Sequence, residues 1–220
     1  MVWPLTFLDE LTHDDLVIHV DAVQSVGKTS SFLKLNPKAS MYTFSGHKFG
    51  ALKGMGISFI HNSFKLAPLF YGGAQQNGLR SGTENPLGAL TLMLAHKEWS
   101  EAFNVDKMAE LQNAIILELK NCLQDDFLLV AEKAQHKNVN TVDFIHKTTK
   151  ADLLLMQFDL NGMDVSSGSA CSSGQVHSSP TLISMGLEEF SKNSIRISFS
   201  PFEVLKTQEI TQTLKKVFKK

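Results

Sequence analysis

Cysteine is nearly absent from this chain of 220 residues, where Cys122 and Cys171 are the only two and stand far apart in sequence. Nothing therefore reads as a disulfide framework, and the eight histidines fall into no Cys/His spacing that suggests a zinc site. No metal is expected, and so few cysteines suit a reducing, cytoplasmic setting. An excess of either charge is missing too, since 21 basic residues face 22 acidic ones for a net charge of −1. Such a surface has no field that gathers nucleic acid or anionic lipid, and neither partner is expected. Apolar runs stay far short of the roughly eighteen residues that a membrane-spanning helix needs. Met1 to Leu8 carry neither a basic stretch nor a small-residue cleavage site, so an unexported protein is expected.

What the chain does have is a hydrophobic content of 43%, enough at this length to bury a real core. Strands are expected at 16–20, 41–44, 57–60 and 68–71. Pro86 then opens a long helix to about Phe103, with Leu87, Leu90, Leu94 and Ala95 recurring at helical spacing. A second helix, from Val105 to about Leu123, sets Met108, Leu111, Ile115, Leu119 and Cys122 on one face. From Phe127 the texture shortens, with strands at 127–130 and 139–145 and a helix over 151–160 closed by Asn161-Gly162. A brief strand at 163–165, a short helix at 180–185, an alternating strand at 194–199 and a last helix from Pro201 complete the reading. This is an α/β chain in two parts, a first domain over residues 1–105 and a smaller one over 106–220, with the boundary near 100–110.

Chemistry gathers around Phe44-Ser45-Gly46-His47-Lys48-Phe49-Gly50. The apolar run from Met41 ends there in a polar, glycine-bearing turn, and ligands of α/β sheets sit at the carboxyl ends of strands. A lysine so placed can meet a carbonyl cofactor and form a Schiff base, or it can be a lysine in a surface turn. Leu16 to Val20 reads as a buried strand that ends in Asp21-Ala22-Val23-Gln24-Ser25, putting a carboxylate where the strand emerges. An acid there can keep a heterocyclic nitrogen protonated, the pairing through which pyridoxal phosphate becomes an electron sink. Tyr71 to Asn85 is polar and glycine-rich, and its N–H groups and hydroxyls suit an anion. Ser166 to Gly174 sets five serines and two glycines around Cys171, which leaves that thiol in an accessible loop, whereas Cys122 reads as a small buried hydrophobe. Arg196 lies on the strand face opposite Ile195 and Ile197 and offers a planar guanidinium to a carboxylate, or simply to solvent.

Together, His19-Val20-Asp21-Ala22-Val23-Gln24-Ser25, Ser45-Gly46-His47-Lys48, Arg80-Ser81-Gly82-Thr83-Glu84-Asn85 and Ser166-Ser167-Gly168-Ser169-Ala170-Cys171 resemble the motifs of cysteine desulfurases. These are pyridoxal-phosphate enzymes of fold type I and aminotransferase class V. The similarity runs from about Val17 to the end, and the Ser-Gly-Ser-Ala-Cys loop is that of the NifS/IscS branch. It implies the C-terminal part of such an enzyme: an incomplete large-domain sheet, then a small α/β domain carrying the cysteine loop. Carried over residue by residue, the resemblance implies Lys48 as the Schiff-base lysine, Asp21 at the pyridine nitrogen and Gln24 at the ring hydroxyl. Ser45 and His47 would touch the phosphate, and Thr83 would reach the phosphate of the other subunit of a homodimer. Arg196 would hold the carboxylate of L-cysteine. Cys171 would take its sulfur as a persulfide, leaving L-alanine, and pass it to a sulfur-acceptor or scaffold protein for iron-sulfur cluster assembly or another route. Arg80 matches without an assigned contact, His47 can also serve only as a hydrogen-bonded spacer, and His177 reads as a solvated loop residue.

The resemblance lacks a beginning. In the family the preceding half of the cofactor domain supplies a phosphate-binding turn, a histidine stacked on the pyridine ring and an asparagine near its hydroxyl, and none has a counterpart here. Two further readings stay open. One is an inactive, shortened member or binding module, whose sheet would expose ladder groups and apolar faces. The other is a class V aminotransferase or selenocysteine lyase, of which Cys171 in its motif argues against the former.

Overall fold

A computed structural model describes residues 5–12, 15–28, 35–168 and 178–218. Cys171 and His177, with residues 169–177, lie outside the described residues, as does the middle of the polar lead-in at 13–14. The chain is a mixed α/β protein in two units, one ending at Phe103 and the other beginning at Asn104.

The first unit is built on a sheet in the order β1 (His19–Asp21), β2 (Met41–Ser45), β3 (Gly56–Ile60). β1 and β2 run parallel with Asp21 opposite Thr43, so both strands release the chain at the same edge. β3 returns antiparallel and sets Gly56 against Ser45. The two-residue period decides which side chains go inward: Tyr42 and Phe44 are buried, while Met41, Thr43 and Ser45 between them are half-buried. Their partner is α1 (Pro86–Ala102), whose Leu92, Ala95 and Trp99 join Ala22, Tyr42, Phe44 and Phe49 in one cluster. α1 begins at Pro86 because a first helical position needs no N–H, and the Asn85 side chain accepts from the Gly88 N–H. Gly27, at φ +62°, lets the chain pass under the helix: Trp99 Nε1 donates to Gly27 O at 3.1 Å. A Cβ at Gly27 would lie 1.6 Å from that indole nitrogen.

Three expectations for this unit are corrected. The residues 16–20 are not a buried strand, since pairing starts only at His19 and Leu16 and Val17 are exposed. β1 is an edge strand with one neighbour, so its apolar lead-in has nothing to pack on. The residues 68–71 form no strand and leave Leu69, Phe70 and Tyr71 exposed. On α1 the buried face is Gly88, Leu92, Ala95 and Trp99, whereas Leu87, Leu90 and Leu94 face out. That helix is apolar nearly all round, and periodicity cannot choose between faces when both are apolar.

The second unit holds an antiparallel sheet in the order β4 (Phe127–Leu129), β5 (Thr141–His146), β6 (Ser194–Ser198). Its helices are α2 (Val105–Leu123), α3 (Ala151–Leu160), α4 (Pro180–Ser184) and α5 (Thr207–Val217). Met108, Leu111, Ile115 and Leu119 recur on one side of α2 and are sealed against β4, β5 and α5. Each such side chain stabilises the fold by roughly 1.5–3 kcal/mol. Phe144 in β5 is fully buried between the rings of Phe127 and Phe218, with centroids 6.1 and 6.4 Å away. The expected strand at 163–165 is absent; pairing comes one residue later as a single bridge between Ser166 and Arg196. The last helix is also divided, because Ser200 and Glu203 form a capping box on a tighter turn, Pro201–Lys206, that precedes α5.

Gly27→Ala should lower the stability of the first unit by roughly 1–3 kcal/mol, since the added methyl overpacks a filled site on a backbone that disfavours it. Urea unfolding followed by Trp99 fluorescence measures this, and an unchanged midpoint would contradict the packing described.

Candidate active site

Two turns leave the sheet at the edge where β1 and β2 both end. In the first, the Ala22 N–H donates to Thr43 O at 2.9 Å, continuing the parallel ladder past Asp21. Asp21 is exposed and its Oδ1 accepts from the Val23 N–H at 3.0 Å, an Asx turn that orients the carboxylate and leaves Oδ2 without a partner among the described residues. The Ser25 N–H and Oγ both donate to Ala22 O, at 3.0 and 2.8 Å, and the Lys28 N–H donates to Ser25 O at 3.1 Å. The stretch from Ala22 to Lys28 is thus wound tightly.

The second turn, Gly46–Lys48, follows β2 directly. Its path depends on Gly46, whose N–H donates to Met55 O at 2.9 Å and whose O accepts from Phe49 and Ala51 at 3.1 and 3.0 Å. A Cβ there would lie 2.4 Å from Leu92 Cδ2 and 3.0 Å from Ala51 Cβ, so only glycine lets this backbone press against α1. Buried Phe49 anchors the far side. Between these points Lys48 is half-buried, and its amine has no hydrogen bond or ion pair among the described residues. Ser45 Oγ and His47 Nδ1 lie 2.9 Å apart, and His19 Nε2 lies 2.8 Å from Thr43 Oγ1.

Asp21, Gln24, Ser45, His47 and Lys48 therefore come together at one sheet edge, an acid, an amide, a hydroxyl, an imidazole and an amine. Thr83 lies exposed in the irregular segment ahead of α1, and no bond among the described residues ties it to that edge. Arg80 Nη1 donates locally to Ser81 O at 2.7 Å. The sequence reading missed Lys28. This lysine is only 6% exposed, and its Nζ donates to Gln24 Oε1. Burial, with the nearby Lys48 charge adding to it, pushes the Lys28 pKa down to about 8. The available signal was its place four residues after Gln24, the spacing of one helical turn.

Arg196 belongs to the second unit. It is half-buried between buried Ile195 and Ile197. Its backbone N–H and O bond Ser166, at 2.6 and 3.1 Å, so its cross-strand pair with Asp143 is the non-hydrogen-bonded kind that brings side chains close. Burial pushes the Asp143 carboxyl up, while the Ser194 Oγ, donating at 2.6 Å, and the Arg196 charge pull it back. Arg196 Nη1 also donates to Gly168 O at 3.4 Å, at the start of the serine-rich loop. Cys122 is half-buried rather than fully buried on α2; burial and a hydrogen bond to Glu118 Oε1 push its thiol up to about 11. Among the described residues no helix is long and apolar enough to cross a membrane, and no cluster of three or more His, Cys, Asp or Glu is arranged for a metal.

Residues 2–210 match the protein-family model described as Aminotransferase class-V. The chain is 30% identical over 204 residues to the cysteine desulfurase IscS of Dictyoglomus turgidum, covering 89% of this chain and 50% of that protein. It is 34% identical over 188 residues to cysteine desulfurase 2 of Trichormus variabilis, covering 84% and 46%. Among solved structures, a NifS-like protein from Rickettsia africae superposes with a TM-score of 0.75 at 29% identity, over 92% of this chain and 53% of that one. The chain spans about half the length of the curated relatives it matches.

A thiol raised from 9.0 to about 11 holds about a hundredfold less thiolate at neutral pH. Cys122 should therefore alkylate slowly at pH 8 and speed up until the pH nears 11, while Cys171 reacts much faster. Because the folded pKa is the higher one, the stability this thiol contributes is complete below about pH 9 and fades as pH rises through 11. Equal alkylation rates in the folded protein would contradict the assignment.

Proposed function

The chain belongs to the aminotransferase class-V family, and on that premise we propose that it is the later part of a cysteine desulfurase acting with pyridoxal phosphate. The observation that carries the reading is the convergence of Asp21, Gln24, Ser45, His47 and Lys48 where two parallel strands end. Their chemistry fits that cofactor point by point. Lys48 supplies an unengaged amine for its aldehyde, Asp21 a free carboxylate oxygen for its ring nitrogen, and Ser45 with His47 hydrogen-bonding atoms for its phosphate. Gly46, by letting its backbone press against Leu92 of α1, fixes the path of the turn that carries His47 and Lys48.

Bound there, the group supplies an electron-withdrawing ring that stabilises negative charge at the substrate Cα. The chain's own residues do the rest. Asp21 keeps the proton on the ring nitrogen. Arg196 clamps the α-carboxylate of L-cysteine with its planar fork, and Asp143 steadies the charge on that strand. Cys171, as thiolate, attacks the substrate sulfur, so the carbon–sulfur bond breaks, a sulfur–sulfur bond forms, and the products are L-alanine and a Cys171 persulfide. An acceptor protein then takes the sulfur, for iron-sulfur cluster assembly or another use. Thr83, exposed and without a bond to the turns among the described residues, suits a contact to the phosphate of a second copy in a homodimer. A cytoplasmic location accords with this chemistry.

A second reading, an inactive fragment or binding module, draws support from the half-length coverage and from the exposed apolar side chains Val17, Phe59, Leu69 and Tyr71. The resemblance assigns the stacking histidine, the asparagine near the ring hydroxyl and the main phosphate turn to the preceding half. Without three such contacts cofactor affinity should fall roughly 10²–10⁴-fold, from about 1.5 kcal/mol for each contact at about 1.4 kcal/mol per decade. The chain alone should accordingly release little alanine or sulfide from L-cysteine. A fusion that places the preceding half of the Dictyoglomus turgidum desulfurase ahead of it should turn over. In that fusion Cys171→Ser should abolish protein-bound sulfur and Cys122→Ser should retain it. Full turnover by the chain alone would contradict the assigned dependence, and a folded, cofactor-loaded fusion without alanine release would refute the desulfurase reading.

A further inference from the structure

We propose that Lys28 is a positioning residue that fixes the Gln24 carboxamide with its N–H end toward the site, so that Gln24 recognises its ligand only as a donor. The inference rests on the cofactor reading above and deepens it. Lys28 lies at the end of the tight Ala22–Lys28 stretch, almost fully buried, and the Gln24 side chain is its hydrogen-bond acceptor among the described residues. An ammonium can only donate, so the amide atom facing it must be Oε1 whatever the assignment of oxygen and nitrogen. Gln24 itself is exposed, at the edge shared with Asp21 and Lys48. With its one carbonyl oxygen engaged below, what remains for a ligand above is the pair of N–H donors. Such a group binds an acceptor and disfavours a hydroxyl hydrogen. The cofactor oxygen it selects is therefore the deprotonated ring oxygen, and the charge that Lys28 holds beneath the amide polarises those N–H bonds toward it.

This arrangement explains a buried lysine that would otherwise be costly. An isolated ammonium removed from water is destabilising unless hydrogen-bonded, and the neighbouring Lys48 adds repulsion. Replacing Lys28 by methionine removes that cost and should leave the apo chain at least as stable. A purely structural lysine would do the opposite. Position 28 therefore exchanges apo stability for a ligand-ready amide, and the two properties can be read separately.

The test is a titration of the whole chain with pyridoxal phosphate, followed by absorbance, beside the thermal midpoint of the cofactor-free protein. Lys28→Met should weaken binding about 3–10-fold, the loss of one ordinary hydrogen bond's worth of orientation, without lowering the midpoint. Gln24→Ala should weaken it similarly, and the Lys28→Met/Gln24→Ala double variant should be no weaker than Gln24→Ala alone, because Lys28 acts through Gln24. Gln24→Glu, at an exposed position, should raise the midpoint by pairing with Lys28 and yet bind the cofactor less tightly, its carboxylate facing the ring oxygen. Unchanged affinity in Lys28→Met, multiplicative losses in the double variant, or a Gln24→Glu chain that binds more tightly would overturn the proposal while leaving the cofactor reading intact. No saturable binding by the wild-type sequence, either as the chain alone or in the fusion described above, would overturn both.

Discussion

The site hangs on the parallel register of β1 and β2. Because Asp21 pairs with Thr43 and the Ala22 N–H reaches Thr43 O, the turn after β1 and the turn after β2 open on the same edge. One residue of slip would turn every side chain of β1 to the other face and move the Asp21 carboxylate away from the Lys48 turn. Packing holds the register from beneath: Tyr42 and Phe44 point into a cluster closed by Leu92, Ala95 and Trp99 of α1. Two glycines let α1 come that close, Gly27 under the indole and Gly46 against Leu92. The chemistry is thus positioned by the core, and the core by residues that carry no chemistry.

The same unit leaves much apolar surface uncovered. β3 exposes Ile57 and Phe59, and α1 turns Leu87, Leu90, Met93 and Leu94 outward, with Leu87 at 64% exposure. Exposed apolar patches, where they are large, mark surfaces that pack against other protein. The second unit seals its α2 face and Phe144 within its own residues, while exposing Leu160 and Leu205 at 84% and 93%.

Legibility in the sequence followed how local each signal was. The α/β class, the ends of α1 and α2, the alternating strand bearing Arg196 and the Ser45–Lys48 turn were readable, since capping residues, period and strand-end glycines are written within a few positions. The buried face of α1 was not readable, because its choice between two apolar faces is made by Tyr42 and Phe44, far away in sequence. The strand lead-in at Leu16 and Val17 misled for a related reason: burial of an edge strand depends on a neighbour, which sequence does not show. Lys28 escaped notice because a lysine after Gly27 looks like a surface residue until the tight Ala22–Lys28 stretch folds it inward.

On the proposed function Lys48 is the amine that meets the cofactor, and the structure itself offers a rival in Lys28, buried nearby with its pKa pushed down to about 8 and so more nucleophilic at neutral pH than an ordinary lysine. Borohydride reduction of the chain after incubation with pyridoxal phosphate, followed by peptide mapping, decides between them. Label on Lys48, with Lys28, Lys53 and Lys65 unmodified, is the predicted result; label on Lys28 in place of Lys48 would contradict the account.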